Sequence, residues 1–169
     1  FFYRSVRGEQ VRWLPDSRDA WMRILLIAVF AVMGYQLLFM YGMKFTAAGD
    51  ASLIITMNPI FTVLLASPFL DQRITTRMVY GLILAFIGVA VVTGWSPNTD
   101  IPVHDRLKGD FMIMLAALCW ATATNLTRIM LEVEGDYGAS SSEIVVWYSL
   151  VGTVLLTPWW LMDVYSGGF

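Results

Sequence analysis

The chain has 169 residues, 57% of them hydrophobic and 14% charged, with a net charge of −2. A soluble domain carries roughly 25% charged residues, and a chain this short keeps too much surface exposed to hide so much apolar matter from water. The small negative charge says nothing of nucleic acid and no basic stripe suggests it as a partner, and the single cysteine, Cys119, excludes a disulfide framework or a multi-cysteine metal site.

The spacing of the charges predicts the elements. Arg23 to Lys44 encloses 20 uncharged residues, Asp50 to Asp71 another 20, Arg77 to Asp100 22, Asp110 to Arg128 17 and Glu143 to Asp163 19. A helix crossing the bilayer needs about 20 largely apolar residues. Each window is several times the length of a usual strand, and none alternates as an outer-membrane barrel strand does. Helices satisfy their own backbone within lipid. The expected fold is therefore all-α and integral to the membrane, with five transmembrane helices at 24–43, 51–70, 78–95, 111–127 and 144–162.

Pro15-Asp16-Ser17 reads as an N-cap leading into the first helix, and Trp21 follows at an interfacial position. Asn98 to Pro102 and Gly135 to Ser142 read as loops. The loops before the first helix, between the second and third, and between the fourth and fifth hold Arg4, Arg7, Arg12, Arg18, Arg23, Arg73, Arg77 and Arg128. The opposite side holds only Lys44, Arg106 and Lys108. Positive residues in short loops stay cytoplasmic. The N-terminus is thus expected in the cytoplasm and the C-terminus outside, in the plasma membrane.

Polar and helix-breaking residues inside the windows are the candidate site. Asn58-Pro59 interrupts the second helix, where proline leaves the Ile55 carbonyl without its usual donor. Ser52, Thr56 and Pro59 share a face, either as a packing kink or as a partly polar cavity wall. Gln36 in the first helix and Thr122, Thr124, Asn125 and Thr127 after Trp120 in the fourth are either cavity lining or interhelical glue. Trp120 either stacks on a solute or fills the bundle. Gly81, Ala85 and Gly88 form a close-packing stripe, Gly42 and Gly49 favour a tight turn, and Asp50 reads as a cap on the second helix. His104 has no second ligand nearby. HExxH, GxSxG and P-loop motifs are lacking, so no enzyme, cofactor or metal is expected. No window contains a charged side chain, which favours neutral, zwitterionic or amphipathic solutes.

Several segments resemble the EamA-like branch of the drug/metabolite transporter superfamily. Leu38 to Ile54 resembles its third-to-fourth helix junction, and Asn58 to Ala66 its proline-centred fourth helix. Arg73-Ile74-Thr75 with Gly81 and Gly88-Val89 resembles its fifth helix, and Gly109-Asp110-Phe111 through Ala121 the opening of its sixth. Gln72 departs from the pattern, where the family commonly has a glutamate.

The resemblance implies ten helices in two inverted repeats around a central cavity. Residues 1–100 would then close the first repeat and 101–169 open the second, making the chain a fragment that holds the middle five helices. It also implies cavity positions at Gln36, Thr56, Asn58, Pro59, Trp120 and Asn125. The function it implies is a secondary transporter, exporting or exchanging small amino-acid-like or amphipathic metabolites by alternating access. Its partners would be the bilayer and a small solute, with a coupling proton or an exchanged metabolite as an open third. A non-transporting membrane scaffold is the alternative.

Overall fold

A computed structural model describes residues 15, 17–70, 75–95, 101–134 and 141–165, and these residues form helices and turns with no strand. Six helical segments follow in order: α1 (Arg18–Gly42), α2 (Ala48–Thr56), α3 (Asn58–Leu70), α4 (Thr76–Trp95), α5 (Val103–Glu134) and α6 (Ser141–Tyr165). Four stretches are long and apolar enough to cross a membrane, namely α1, the α2–α3 pair over Ala48–Ser67, α5 and α6. The third window yields α4, which is 20 residues long.

Serine starts α1 as expected. Ser17 is extended, and its Oγ accepts the Ala20 N–H at 3.0 Å, while Asp19 adds negative charge in the first turn. One face of α1, carrying Ala20, Ile24, Ile27 and Ala31, packs on Ala123 and Met130 of α5 and Ile144 of α6. The other faces, and those of α4 and α6, leave large apolar side chains uncovered, such as Leu84 and Met162 at 71% exposure each. A water-soluble surface does not carry such stripes. Hydrocarbon accepts them.

Two helices differ most from their windows, while α1 starts six residues before its own and α6 overruns its own at both ends. The second is broken rather than merely kinked, and the break falls at Met57. That residue's N–H bonds to the Ile54 carbonyl at 3.0 Å, and its own carbonyl receives the N–H groups of Ile60 and Phe61 at 2.9 and 3.1 Å. Pro59 thus lies in the first turn of α3, where its missing N–H leaves no further bond unmade. The fourth window, 111–127, sits inside a helix of 32 residues. Its charges at positions 104–110 ended the apolar run without ending the helix. Of the expected loop 135–142, residues 135–140 lie outside the described residues, and Ser141 and Ser142 already belong to α6.

α5 is the hub, touching α1, α2, α3 and α6. Ile113, Ala116, Ala117 and Ala121 are fully buried on it. Glycines permit the closest approaches, though not those expected from spacing. A Cβ on Gly42 would lie 2.8 Å from the Ile113 side chain, one on Gly109 2.7 Å from the Thr46 backbone, and one on Gly152 2.5 Å from Val32. Gly49, Gly81 and Gly88 have nothing within 4 Å. α4 lies at the edge against α2 and turns Ala85 inward, so the Gly81/Gly88 stripe packs on none of the described residues.

Replacing Gly152 by leucine is expected to destabilise the bundle by about 2 kcal/mol or more, because α6 must move off Val32. Gly49→Ala, in open space, leaves stability unchanged or raises it. Thermal unfolding of the detergent-solubilised protein checks both.

Candidate functional site

Three of the six candidate residues lie against two flanks of α5, Asn58 and Asn125 on one and Trp120 on the other. On the α3 flank, Asn125 is 4% exposed and its Nδ2 donates to the Thr62 carbonyl at 3.0 Å. Thr62 in turn donates its hydroxyl to the Asn58 carbonyl at 2.8 Å. Asn58 and Asn125 therefore communicate through one threonine, just beyond the break at Met57. The side-chain oxygen of Asn58 is buried with no hydrogen-bond partner. A buried acceptor left unmade costs about 1–3 kcal/mol, so this atom marks a place where a donor is wanted.

On the α1 flank, the Trp120 ring lies 5.3 Å from the Tyr35 ring, and Tyr35 also stacks on Phe39 at 5.7 Å. Trp120, Thr124 and Thr127 border a cavity with Ile27, Ala31 and Tyr148. A second cavity, on the α3 flank, is bordered by Leu65, Thr122, Asn125 and Ile129. Each measures about 30 Å³. That volume suits one or two waters rather than a metabolite.

The remaining candidates stand apart. Gln36 is exposed on α1, and Thr56 and Pro59 are exposed at the break. The Thr56 hydroxyl is turned back to the Leu53 carbonyl at 2.6 Å, and the hydroxyls of Thr122, Thr124 and Thr127 likewise bond the carbonyl four residues earlier, at 2.8 to 2.9 Å. These threonines satisfy themselves along the helix.

Two features lay outside the sequence reading. The middle of α1, Val29–Gly34, is a π-helical turn. Such turns widen a helix and recur at functional sites. It delivers Tyr35 to Trp120, and Gly34, whose Cβ would lie 3.2 Å from Cys119 Sγ, lets α5 approach there. The only local signal was Gly34-Tyr35-Gln36. The second feature is a buried ion pair. Asp50 does not cap α2, since Ala47 holds the N-cap position. It is 1% exposed and accepts from Arg106 Nε at 3.0 Å and from Arg106 Nη2. One helical turn further along α5, Asp110 accepts the Thr46 hydroxyl.

The EamA-like transporter family pattern matches residues 6–94, more than half of the chain. The chain belongs to that family. An uncharacterized transporter of Archaeoglobus fulgidus is 26% identical over 90% of the chain and 49% of its own length. A probable amino-acid metabolite efflux pump of Salmonella typhimurium is 27% identical over 82% of the chain and 52% of its own length. A probable terminal-alkyne amino-acid exporter of Streptantibioticus cattleyicolor is 40% identical over 46% of the chain and 26% of its own length. The chain spans about half the length of the first two relatives and about a quarter of the third. No solved structure matches it. Family and relatives are transporters rather than enzymes, and an EamA-like chain with these apolar helices is a multi-pass membrane protein.

The two asparagines are expected to respond oppositely. Asn125→Leu removes an interhelical hydrogen bond worth about 0.6–2 kcal/mol and lowers the melting temperature. Asn58→Leu removes an unmade acceptor and leaves the melting temperature unchanged or raised. Paired melts of the two variants beside the parent protein decide it.

Proposed function

We propose that a protein carrying this chain is a secondary transporter of small amino-acid-like or amphipathic metabolites, working by alternating access. The observation that carries the reading is the orphaned Asn58 oxygen at the α2–α3 break, in a chain whose family consists of transporters. An interrupted helix exposes backbone and side-chain dipoles to a solute, as broken helices do in other secondary transporters. An acceptor without a donor matches the N–H groups of an amine-bearing solute. The relatives described as an amino-acid exporter and an amino-acid metabolite efflux pump support the same solute class.

Gln36 supports a polar path along α1. Its amide is exposed and makes no hydrogen bond to the described residues. Intramembrane polar groups face protein or water rather than lipid, so this part of α1 faces one or the other in the whole protein. Trp120 and Tyr35 supply an aromatic wall. Asn125, already spent on Thr62, acts as glue between α3 and α5.

The chain corresponds on this reading to the last three helices of one repeat, residues 1–100, and the first two of the next, residues 101–169. The distribution of arginine and lysine, eight against three, supports an N-terminus in the cytoplasm and a C-terminus outside, with the plasma membrane as the host.

Counterflow in proteoliposomes of the full-length protein, screened with amino acids and related metabolites, tests the proposal. Asn58→Leu is expected to cut uptake of an amine-bearing solute at least about tenfold while the melting temperature holds. Absence of counterflow for every solute in the well-folded parent protein would favour a scaffold, whereas full uptake by Asn58→Leu would keep transport and remove Asn58 from the solute site.

A further inference from the structure

Asp50 and Arg106 meet across 56 positions of sequence. They join the first turn of α2 to the first turn of α5, with side-chain exposures of 2% and 11%. Around them the start of α5 packs closely on the α1–α2 turn. Gly42 lies against Ile113 and Gly109, Gly109 lies against Thr46, and Thr46 itself is buried and tied to Asp110. The two larger cavities border residues 120–129 of α5, beyond this plug, and a smaller one of about 20 Å³ lies outside it, between Tyr41, Lys44 and Trp159.

We propose that Asp50 and Arg106 are a breakable latch, which holds this end of the solute path closed and separates when that end opens. The inference rests on the transporter reading above. Its physical basis is the choice of charges for a seal. A buried ion pair gains little net stability over an apolar pair of similar volume, because desolvation offsets its Coulomb attraction. The two differ once water enters. Separated charges are then hydrated and recover what burial cost, whereas an exposed apolar plug recovers nothing. A pair of charges therefore makes the closed and open arrangements similar in free energy, as a seal that must cycle requires. An apolar plug favours only the closed one. The tether from Thr46 to Asp110 sits one turn away on the same helix, so both contacts release together when the start of α5 moves from the α1–α2 turn.

The test uses full-length protein with Cys119→Ser and a reporter thiol at Ala117→Cys, which lies at 0% exposure one turn beyond Ile113 on α5. Labelling by a membrane-impermeant maleimide, without solute, reads how often this end opens. Asp50→Asn and Arg106→Gln are each expected to raise the labelling rate more than about tenfold. The charge swap Asp50→Arg with Arg106→Asp restores it toward the parent rate. The apolar pair Asp50→Leu with Arg106→Met keeps the melting temperature, lowers labelling below the parent rate and slows transport. Should the single variants misfold, the apolar pair decides alone. Parent-like labelling in the apolar pair, or in folded single variants, overturns the latch and leaves a permanent staple. Because labelling needs no solute, its outcome stands apart from counterflow. A protein that labels as expected but transports nothing sinks the transport reading and not the opening of this end.

Discussion

Close approach to α5 is the constraint on which the rest of the bundle depends. Apolar side chains gain nothing by leaving hydrocarbon for other apolar side chains, so membrane helices associate through intimate packing and a few polar contacts. α5 meets that condition with Ala116, Ala117 and Ala121, all fully buried, and with Gly109 against the α1–α2 turn. α1 reciprocates with Gly34 beneath Cys119. Each functional contact then follows from the face α5 offers a neighbour. It brings Trp120 to Tyr35 on α1, Asn125 to Thr62 on α3 and Arg106 to Asp50 on α2.

Two asparagines show how little residue type says about role. From sequence, Asn125 read as either lining or glue, and Asn58 stood in a segment read as either a packing kink or a cavity wall. The structure gives Asn125 a backbone carbonyl to bond and leaves the Asn58 oxygen with none. The difference comes from position beside a helix break, where local geometry no longer supplies a partner. Stability and recognition draw on the same chemical group in opposite ways.

The helical type, and four of the five expected spans, were legible because the hydrocarbon thickness imposes a length that charges then punctuate. The Ser17 cap was legible for a similar reason, being local to three residues. The start of α5 was not, since Asp105, Arg106, Lys108 and Asp110 end an apolar window while remaining good company for a helix. Asp50 was read as a cap because its partner lies in another helix, beyond any local pattern. The glycine stripe failed for a related reason. A missing side chain permits close approach but does not say which neighbour arrives, and α4 turns Ala85 rather than its glycines toward the bundle, whereas the lone Gly152 meets Val32. The π-turn of α1 had no counterpart in the pattern of apolar residues.

The length of α5 has a consequence for the bilayer itself. At 1.5 Å per residue its 32 residues reach about 48 Å, well past a hydrocarbon core of about 30 Å. Its inner charges, Asp110 and Arg128, are 18 positions apart, or about 27 Å along the axis. Since charged groups resist entry into hydrocarbon, this spacing acts as a gauge of membrane thickness. A thicker bilayer must thin around the helix, or draw Asp110 and its Thr46 partner inward from the headgroups. Lipid chain length thus becomes a mechanical variable applied at the same end of the molecule where Arg106 holds Asp50.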